Sequence, residues 1–234
     1  MYGKHIILHQ LINTIIMDTS SPALNRRKFI KKASLATVGT IGVTSVTAMY
    51  TTPLLSTQED LINVVGPKNG YAPQIGTLVS MMNWMRSVIL NQVQNLDQRQ
   101  LDFLLDDQAN TIGAMLMHLA ATERFYQIHT LESKSWGDWS KADKKRWNVA
   151  SGLGDKARKD IKGQDLNYYL DTLDEVRSHT LKELANRDDE WLLKVDQDWY
   201  WGPTNAYCKW FHVVEHESNH NGQIKLIQSR IPNS

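Results

Sequence analysis

Four segments of this 234-residue chain carry apolar residues at the three- and four-residue spacing of an amphipathic α-helix. They run from Gln74 to about Leu96, from Gln108 to about Thr130, from Asp165 to about Leu184, and from Asn205 to about Ser229. The stripe of the first segment consists of Ile75, Leu78, Val79, Met82, Met85, Ile89, Val93 and Leu96. No segment alternates apolar and polar residues between hairpin turns, so strands are not expected. The pattern predicts an all-α fold, a four-helix bundle whose stripes face a common core.

Three of these segments begin at residues that commonly start helices. Pro73 stands just before the first segment, and Asp165 and Thr204 are candidate N-caps for the third and fourth. We therefore expect the folded domain at residues 74–230. Residues 49–73, which precede it, are interpreted as a linker.

Two predicted connections, residues 131–164 and 187–204, are longer than the turns of a simple bundle. The first contains a possible short helix that Ser140 would open. The second contains three tryptophans, Trp191, Trp199 and Trp201. These rings could line a pocket or close the ends of the bundle core, and the second role is the commoner one for tryptophan.

The first 48 residues differ from the rest of the chain in charge. They contain six Lys or Arg residues and one Asp, a charge of +5, which leaves −4 on the remainder of a chain whose total is +1. A mildly acidic body excludes a nucleic-acid-binding protein, which needs a basic face for phosphates. The single cysteine, Cys208, excludes an intrachain disulfide framework and a zinc cluster built on cysteine.

The basic residues of this segment are arranged as in an export signal. Arg26 and Arg27 precede an uncharged stretch that ends near Ala48 and is too short and too polar to span a bilayer stably. The pair resembles the twin-arginine signal; the alternative is a basic start to a weak core helix. We expect a signal at residues 1–48, with Met17 as a possible true start. The resemblance implies export by the twin-arginine translocase to a periplasmic or other extracytoplasmic site, with membrane contact only through an uncleaved signal.

Three histidines are candidate metal ligands. His216 and His220 are four residues apart in the fourth predicted helix, so both rings project from one face. His118 stands among apolar residues of the second helix, where an imidazole without a partner is costly. Three imidazoles from two facing helices would form a site with an open position, typical of a catalytic metal; the alternative is histidines that hydrogen-bond within the core. His129 and His179 stand in polar surroundings and are expected on the surface.

The run His216-Glu217-Ser218-Asn219-His220 also matches the HExxH motif of zinc proteases literally. In that motif Glu217 would be the general base that activates a water. The common zinc proteases take their third ligand downstream, but none of the 14 residues after His220 is His, Asp, Glu or Cys. A standard zinc protease is therefore excluded. Glu217 could act as a base, support a ligand or face solvent.

Five stretches of the chain form a combined pattern. They are Trp84 with Arg86, Asn95-Leu96-Asp97, Ile112-Gly113, the run from His118 to Glu123, and the run from His216 to Ile224. Together they resemble the DinB-like (YfiT-type) metal-binding four-helix-bundle family over residues 70–230. The resemblance implies a divalent metal ion, zinc or nickel, held by His118, His216 and His220. Members of that family include thiol-dependent S-transferases and a mycothiol-dependent isomerase.

Three functions are compatible with this pattern. The first is an exported thiol-dependent transferase, in which the metal lowers the pKa of a thiol co-substrate. The second is a metal-dependent hydrolase, and the third is a non-enzymatic metal-binding module with a closed site. We expect a small-molecule substrate and, as one further possible partner, a second copy of the chain in a homodimer.

Overall fold

The computed structural model describes residues 61–232. The predicted signal, residues 1–48, and residues 49–60 of the predicted linker lie outside this range. The helices are α1 (Pro73–Val93), α2 (Gln98–Leu101), α3 (Ile112–Tyr126), α4 (Lys141–Gly152), α5 (Gly154–Asp160), α6 (Leu166–Leu184), α7 (Asp189–Leu193) and α8 (Ala206–Gln228). A π-helical turn (Gln127–Leu131) extends α3, and two short strands are β1 (Val195–Asp196) and β2 (Thr204–Asn205). Within residues 61–232, no helix has the length and apolar character needed to cross a membrane.

The four long helices α1, α3, α6 and α8 form a bundle, so the predicted all-α four-helix fold is confirmed. Helix α3 packs against α6 and α8, and α1 packs against α8 and α6. Helices α1 and α3 therefore occupy opposite corners. The direct contact between α3 and α8 matters for function because these two helices carry the three candidate metal ligands.

The apolar stripe predicted for α1 faces the core. Ile75, Leu78, Met82 and Ile89 are fully buried. Each such side chain contributes about 1.5–3 kcal/mol when it leaves water. The stripe is therefore a main contribution to the packing of α1 in the bundle.

Helix α3 begins later than the apolar pattern indicated. We expected its start near Gln108, but the backbone N–H of Gln108 donates to Asp106 in a preceding turn. The helix instead begins at Ile112, because Thr111 Oγ1 accepts a hydrogen bond from Ala114 N at 3.1 Å. The threonine cap, rather than the apolar spacing, therefore sets the N-terminal boundary of α3.

The N-cap predicted for α8 is wrong by one residue, whereas the cap predicted for α6 is confirmed. Asn205 caps α8, and its Oδ1 accepts from Cys208 N at 2.9 Å. Thr204 lies in β2 and donates its hydroxyl to Gly202 O. Both residues are good caps in principle. Asn205 takes the role because the Thr204 hydroxyl is already engaged, donating to Gly202 O and accepting from Trp201 Nε1. Asp165 caps α6 as predicted.

Both long connections contain regular structure. Ser140 opens α4, as predicted, and accepts from Asp143 N at 3.0 Å. The second connection contains α7 and the antiparallel pair of β1 and β2, in which Val195 pairs with Asn205. We did not expect strands. Two residues per strand are too few to produce an alternating pattern in the sequence.

Gly113 allows α3 to approach α6 closely at Tyr169. A Cβ at position 113 would lie 2.6 Å from the Tyr169 hydroxyl oxygen and 2.7 Å from Cζ of the same ring. The Tyr169 side chain is fully buried. Gly222 of α8 differs, because no neighbouring atom lies within 4 Å of a Cβ built there.

We therefore predict opposite effects on stability for two glycine-to-alanine substitutions. Gly113→Ala should lower the free energy of unfolding by about 1–3 kcal/mol, the usual cost of overpacking a core. Gly222→Ala should raise it by about 1 kcal/mol, because alanine is the better helix former and meets no neighbour. Urea denaturation followed by circular dichroism measures both. Equal effects of the two changes would contradict the close approach at Tyr169.

Candidate metal centre

The three histidines predicted as metal ligands converge on one point. His118 comes from α3, and His216 and His220 come from consecutive turns of α8. One ring nitrogen of each lies within 4.8 Å of the others, and the Nε2 atoms of His118 and His216 are 2.8 Å apart. Ligand nitrogens of a tetrahedral zinc ion are roughly 3.3 Å apart, given Zn–N bonds of about 2.0–2.1 Å. The side chains thus already stand near the spacing that a divalent ion requires.

Two of the three rings are anchored through their other nitrogen. His118 Nδ1 donates to the backbone carbonyl of Ala150 at 2.8 Å, and His220 Nδ1 donates to Gln223 Oε1 at 2.9 Å. With the proton on Nδ1, each ring presents the lone pair of Nε2 to the centre. Metal-binding histidines are oriented in this way in most proteins. The donor set therefore fits a metal ion such as zinc or nickel.

Burial keeps these imidazoles in the neutral form that a metal needs. It lowers the pKa of His118 to about 4, although the hydrogen bond to Ala150 acts in the opposite direction. Burial, together with the neighbouring histidines, lowers the pKa of His216 to about 3. Burial also lowers the pKa of His220. At neutral pH protons therefore do not compete with a cation for these nitrogens.

A fourth histidine lies close to the centre but outside the ligand set. The ring of His212 is 5.3 Å from that of His216 between centroids. Its Nδ1 is hydrogen-bonded to the Tyr126 hydroxyl at 2.9 Å, and the cluster that could hold a metal within residues 61–232 comprises only the other three. Thr122 lies on the same side, with Oγ1 3.4 Å from His216 Nε2. Three protein ligands leave a coordination position for a substrate.

Glu217 lies in a buried ion cluster with residues from the other three long helices. Its Oε1 accepts from Arg86 Nη2 at 2.6 Å and from Arg177 Nη2 at 3.0 Å. Glu123 binds the same two arginines, at 2.9 Å from Arg86 and 2.8 Å from Arg177. The suggestion that Glu217 faces solvent is therefore wrong, because the side chain is buried. Its role as a general base stays a prediction.

The charges of the ion cluster balance one another. Burial alone would raise the pKa of Glu123, but Arg177 and Arg86 outweigh it and lower the pKa below its ordinary value. Burial would likewise lower the pKa of Arg177, but Glu123 and Glu217 raise it. One carboxylate oxygen, Glu217 Oε2, is buried without a hydrogen-bond partner among the described residues.

Only one residue of the ion cluster is marked by its position in the sequence. Arg177 stands four residues after Leu173 in α6, on the apolar face, where a charge needs a buried partner. Glu123 and Arg86 are part of the motifs that resemble the family, but nothing in the sequence indicates that they form an ion pair. The sequence gives no sign that the Ala150 carbonyl orients His118, because that carbonyl is a backbone group in a long connection.

His129 is buried, so its predicted surface position is wrong, whereas His179 is exposed as predicted. His129 Nδ1 donates to Lys134 O at 2.9 Å, and its Nε2 accepts from Trp139 Nε1 at 3.1 Å. The connection after α3 folds back over the ring and satisfies both nitrogens. The polar neighbours of His129 in sequence gave no indication of this.

The tryptophans of the second long connection differ in burial. Trp199 is buried and contacts Tyr126 and Phe125, so it closes one end of the core, one of the two predicted roles. Trp201 is 41% exposed, and its ring centroid lies 5.6 Å from that of His212. The pocket-lining role stays a prediction.

A known protein family and a solved structure resemble this chain. Residues 77–232 match the family described as mycothiol-S-transferase. The chain is also similar to a solved structure described as "Crystal structure of TT2238, a four-helix bundle protein", with 18% identity and a TM-score of 0.45 over 65% of this chain and 98% of that one. No curated protein sequence matches the chain.

We predict that Glu217→Gln lowers the free energy of unfolding by about 3–5 kcal/mol, because it leaves two buried arginines facing one carboxylate. The matched control is Glu175→Gln, which breaks the exposed ion pair of Glu175 with Arg146 and should cost about 0–1 kcal/mol. Urea denaturation measures both. A Glu217→Gln protein that is as stable as the parent but inactive would favour a general base over an ion-cluster residue.

Proposed function

Since this chain belongs to the mycothiol-S-transferase family, we propose that it is a metal-dependent transferase that joins a low-molecular-weight thiol to an electrophilic small molecule. The observation that carries this proposal is the convergence of His118, His216 and His220, with Nδ1 of two of the rings anchored. All three lie within the residues that match the family.

The three imidazoles would hold one divalent ion, and zinc and nickel both suit a nitrogen donor set. A bound ion of this kind supplies a Lewis acid that lowers the pKa of a thiol. The protein supplies the rest. Ala150 and Gln223 fix the orientation of two rings, and the packing of α3 against α8 fixes the distance between the helices.

Two neighbouring polar groups face the ligands from the same side. The Thr122 hydroxyl lies 3.4 Å from His216 Nε2, and His212 stands between that ring and Tyr126. Both can donate or accept a hydrogen bond without carrying a fixed charge, and the His212 imidazole can in addition take up a proton. This environment suits a thiol, which must lose a proton before it reacts.

We also propose that residues 1–48 direct export through the twin-arginine translocase, which would give an extracytoplasmic site of action. The support is the pair Arg26 and Arg27 ahead of an uncharged stretch. That pathway would deliver the folded domain with its metal ion in place.

The metal assignment predicts a difference between His118→Ala and His179→Ala. The first should lose most of its bound metal after dialysis, because it removes one of three ligands. The second, an exposed histidine outside the cluster, should retain one ion per chain. Elemental analysis of the purified proteins measures both, and full metal in His118→Ala would overturn the three-ligand site.

The same proteins test the reaction class. With cobalt in place of the native ion, a thiol should change the absorption spectrum of the parent protein and leave that of His118→Ala unchanged. Thioether formation from an alkyl chloride should require both the thiol and the metal. Hydrolysis without thiol would favour a hydrolase, and unfolding when the metal is chelated would favour a structural module.

Export predicts that replacing Arg26 and Arg27 by lysine keeps the protein in the cytoplasm, because the translocase requires the arginine pair and not merely positive charge. The matched control replaces Lys31 and Lys32 by arginine and should be exported normally. Cell fractionation with immunoblotting measures the distribution. Normal export of the Arg26→Lys, Arg27→Lys protein would contradict the proposal.

A further inference from the structure

Three exposed aromatic side chains lie in continuous contact beside the metal centre. Trp136, Tyr200 and Trp201 are 58%, 56% and 41% exposed. The ring centroids of Trp136 and Tyr200 are 4.1 Å apart, and those of Tyr200 and Trp201 are 5.0 Å apart. Single exposed apolar residues are ordinary, but a contiguous set marks an interaction site. We refer to these three residues as the aromatic patch.

Two rings of the aromatic patch are anchored by neighbouring residues. Trp201 Nε1 donates to Thr204 Oγ1 at 2.5 Å. The Trp136 ring stacks on His129 with an interplanar angle of 21°, and His129 is fixed by its hydrogen bond to Lys134 O. Rings that are already ordered lose little conformational entropy when a ligand binds.

Trp199 forms the floor of the aromatic patch and already carries a cation. Its ring contacts all three patch rings, with centroids 5.2–5.8 Å away. Lys209 Nζ lies 3.8 Å from the Trp199 ring centroid and is paired with Asp196 at 2.6 Å. Because this ion pair carries no net charge, it gives no attraction to a charged occupant. Stacking on the patch rings favours a neutral planar group, which is therefore the better occupant.

The aromatic patch is continuous with the metal centre. Trp201 is in contact with His212 at 5.6 Å, and His212 is in contact with the ligand His216 at 5.3 Å. Only one imidazole ring separates the patch from the ligand set. A planar group that lies on the patch would therefore keep a reactive atom attached to it close to the three histidines.

We propose that the aromatic patch binds the uncharged aromatic group of the electrophilic substrate. This rests on the proposed function and names the class of molecule that receives the thiol. The substrate would be a planar aromatic compound whose electrophilic carbon lies a short linker away from the ring.

Two chloroketones with the same reactive group test the proposal on the metal-loaded full chain. Chloroacetylnaphthalene carries an aromatic ring, and chloroacetone does not. In both reactions the thiol sulfur forms a C–S bond to the chloromethyl carbon as the C–Cl bond breaks, and chloride and the thiol proton are released. The variants are Trp201→Ala, the conservative Trp201→Phe, and the control Trp84→Ala.

Trp84 is a matched control because it is 40% exposed on α1 and has no ring contact with the aromatic patch. Trp201→Ala should raise KM for chloroacetylnaphthalene by about two- to tenfold, the effect of losing one aromatic contact. KM for chloroacetone and kcat for both should stay unchanged. Trp201→Phe should restore most of the loss, and Trp84→Ala should have no effect.

Direct binding of acetylnaphthalene, which cannot react, separates this proposal from the proposed function. If Trp201→Ala weakens the binding of acetylnaphthalene by the same factor, the aromatic patch is supported. This holds even if neither chloroketone reacts with the parent protein, because the lack of reaction would refute only the proposed transferase. An equal rise of KM for both chloroketones overturns the patch. Tighter binding of benzyltrimethylammonium than of acetylnaphthalene also overturns the patch as a site for an uncharged group. A dimer that is seen in sedimentation and is dissociated by Trp201→Ala overturns it as well.

Discussion

The buried ion cluster of Arg86, Arg177, Glu123 and Glu217 is the contact on which the arrangement of this bundle depends, because each long helix contributes one member. Apolar stripes can slide past one another at modest cost, whereas a buried charge that loses its partner is strongly destabilising. A shift of α8 by one turn, about 5.4 Å, would leave two arginines facing a single carboxylate. Since His216 precedes Glu217 directly, the arrangement that pairs the charges also turns His216 toward His118 on α3.

The bundle, and the shared face of His216 and His220, could be predicted because both follow from local periodicity. That His118 lies opposite them was expected from its apolar setting and from the family resemblance. The α1 stripe is buried in the structure, and residues four apart on α8 share a face with His118 opposite. The remainder depends on contacts between distant segments. Burial of His129 results from a connection that returns over it. Asn205 rather than Thr204 caps α8 because the Thr204 hydroxyl is engaged with Trp201 and Gly202. Neither leaves a periodic signal.

The long connections are as much a part of the site as the helices. The first supplies the carbonyl of Ala150 that orients His118, and its loop supplies Trp136. The second supplies Trp199 as a floor and Trp201 as the neighbour of His212. The long helices thus set the positions of the imidazoles, while the first connection orients His118 and both connections shape the surface beside the three rings. On the proposed function, the chemistry and the choice of substrate would therefore reside in different segments of one chain.

The anchors of His118 and His220 respond differently to sequence drift. The Gln223 amide that orients His220 is a side chain, so a single codon change removes it. The Ala150 carbonyl that orients His118 belongs to the main chain and persists whatever residue occupies that position. It is lost only when α4 moves, and buried Trp147 and Ala150 hold α4 in place. In related sequences the orientation of His118 is therefore kept as long as the backbone keeps its path. The orientation of His220 is kept only where residue 223 can still accept the hydrogen bond.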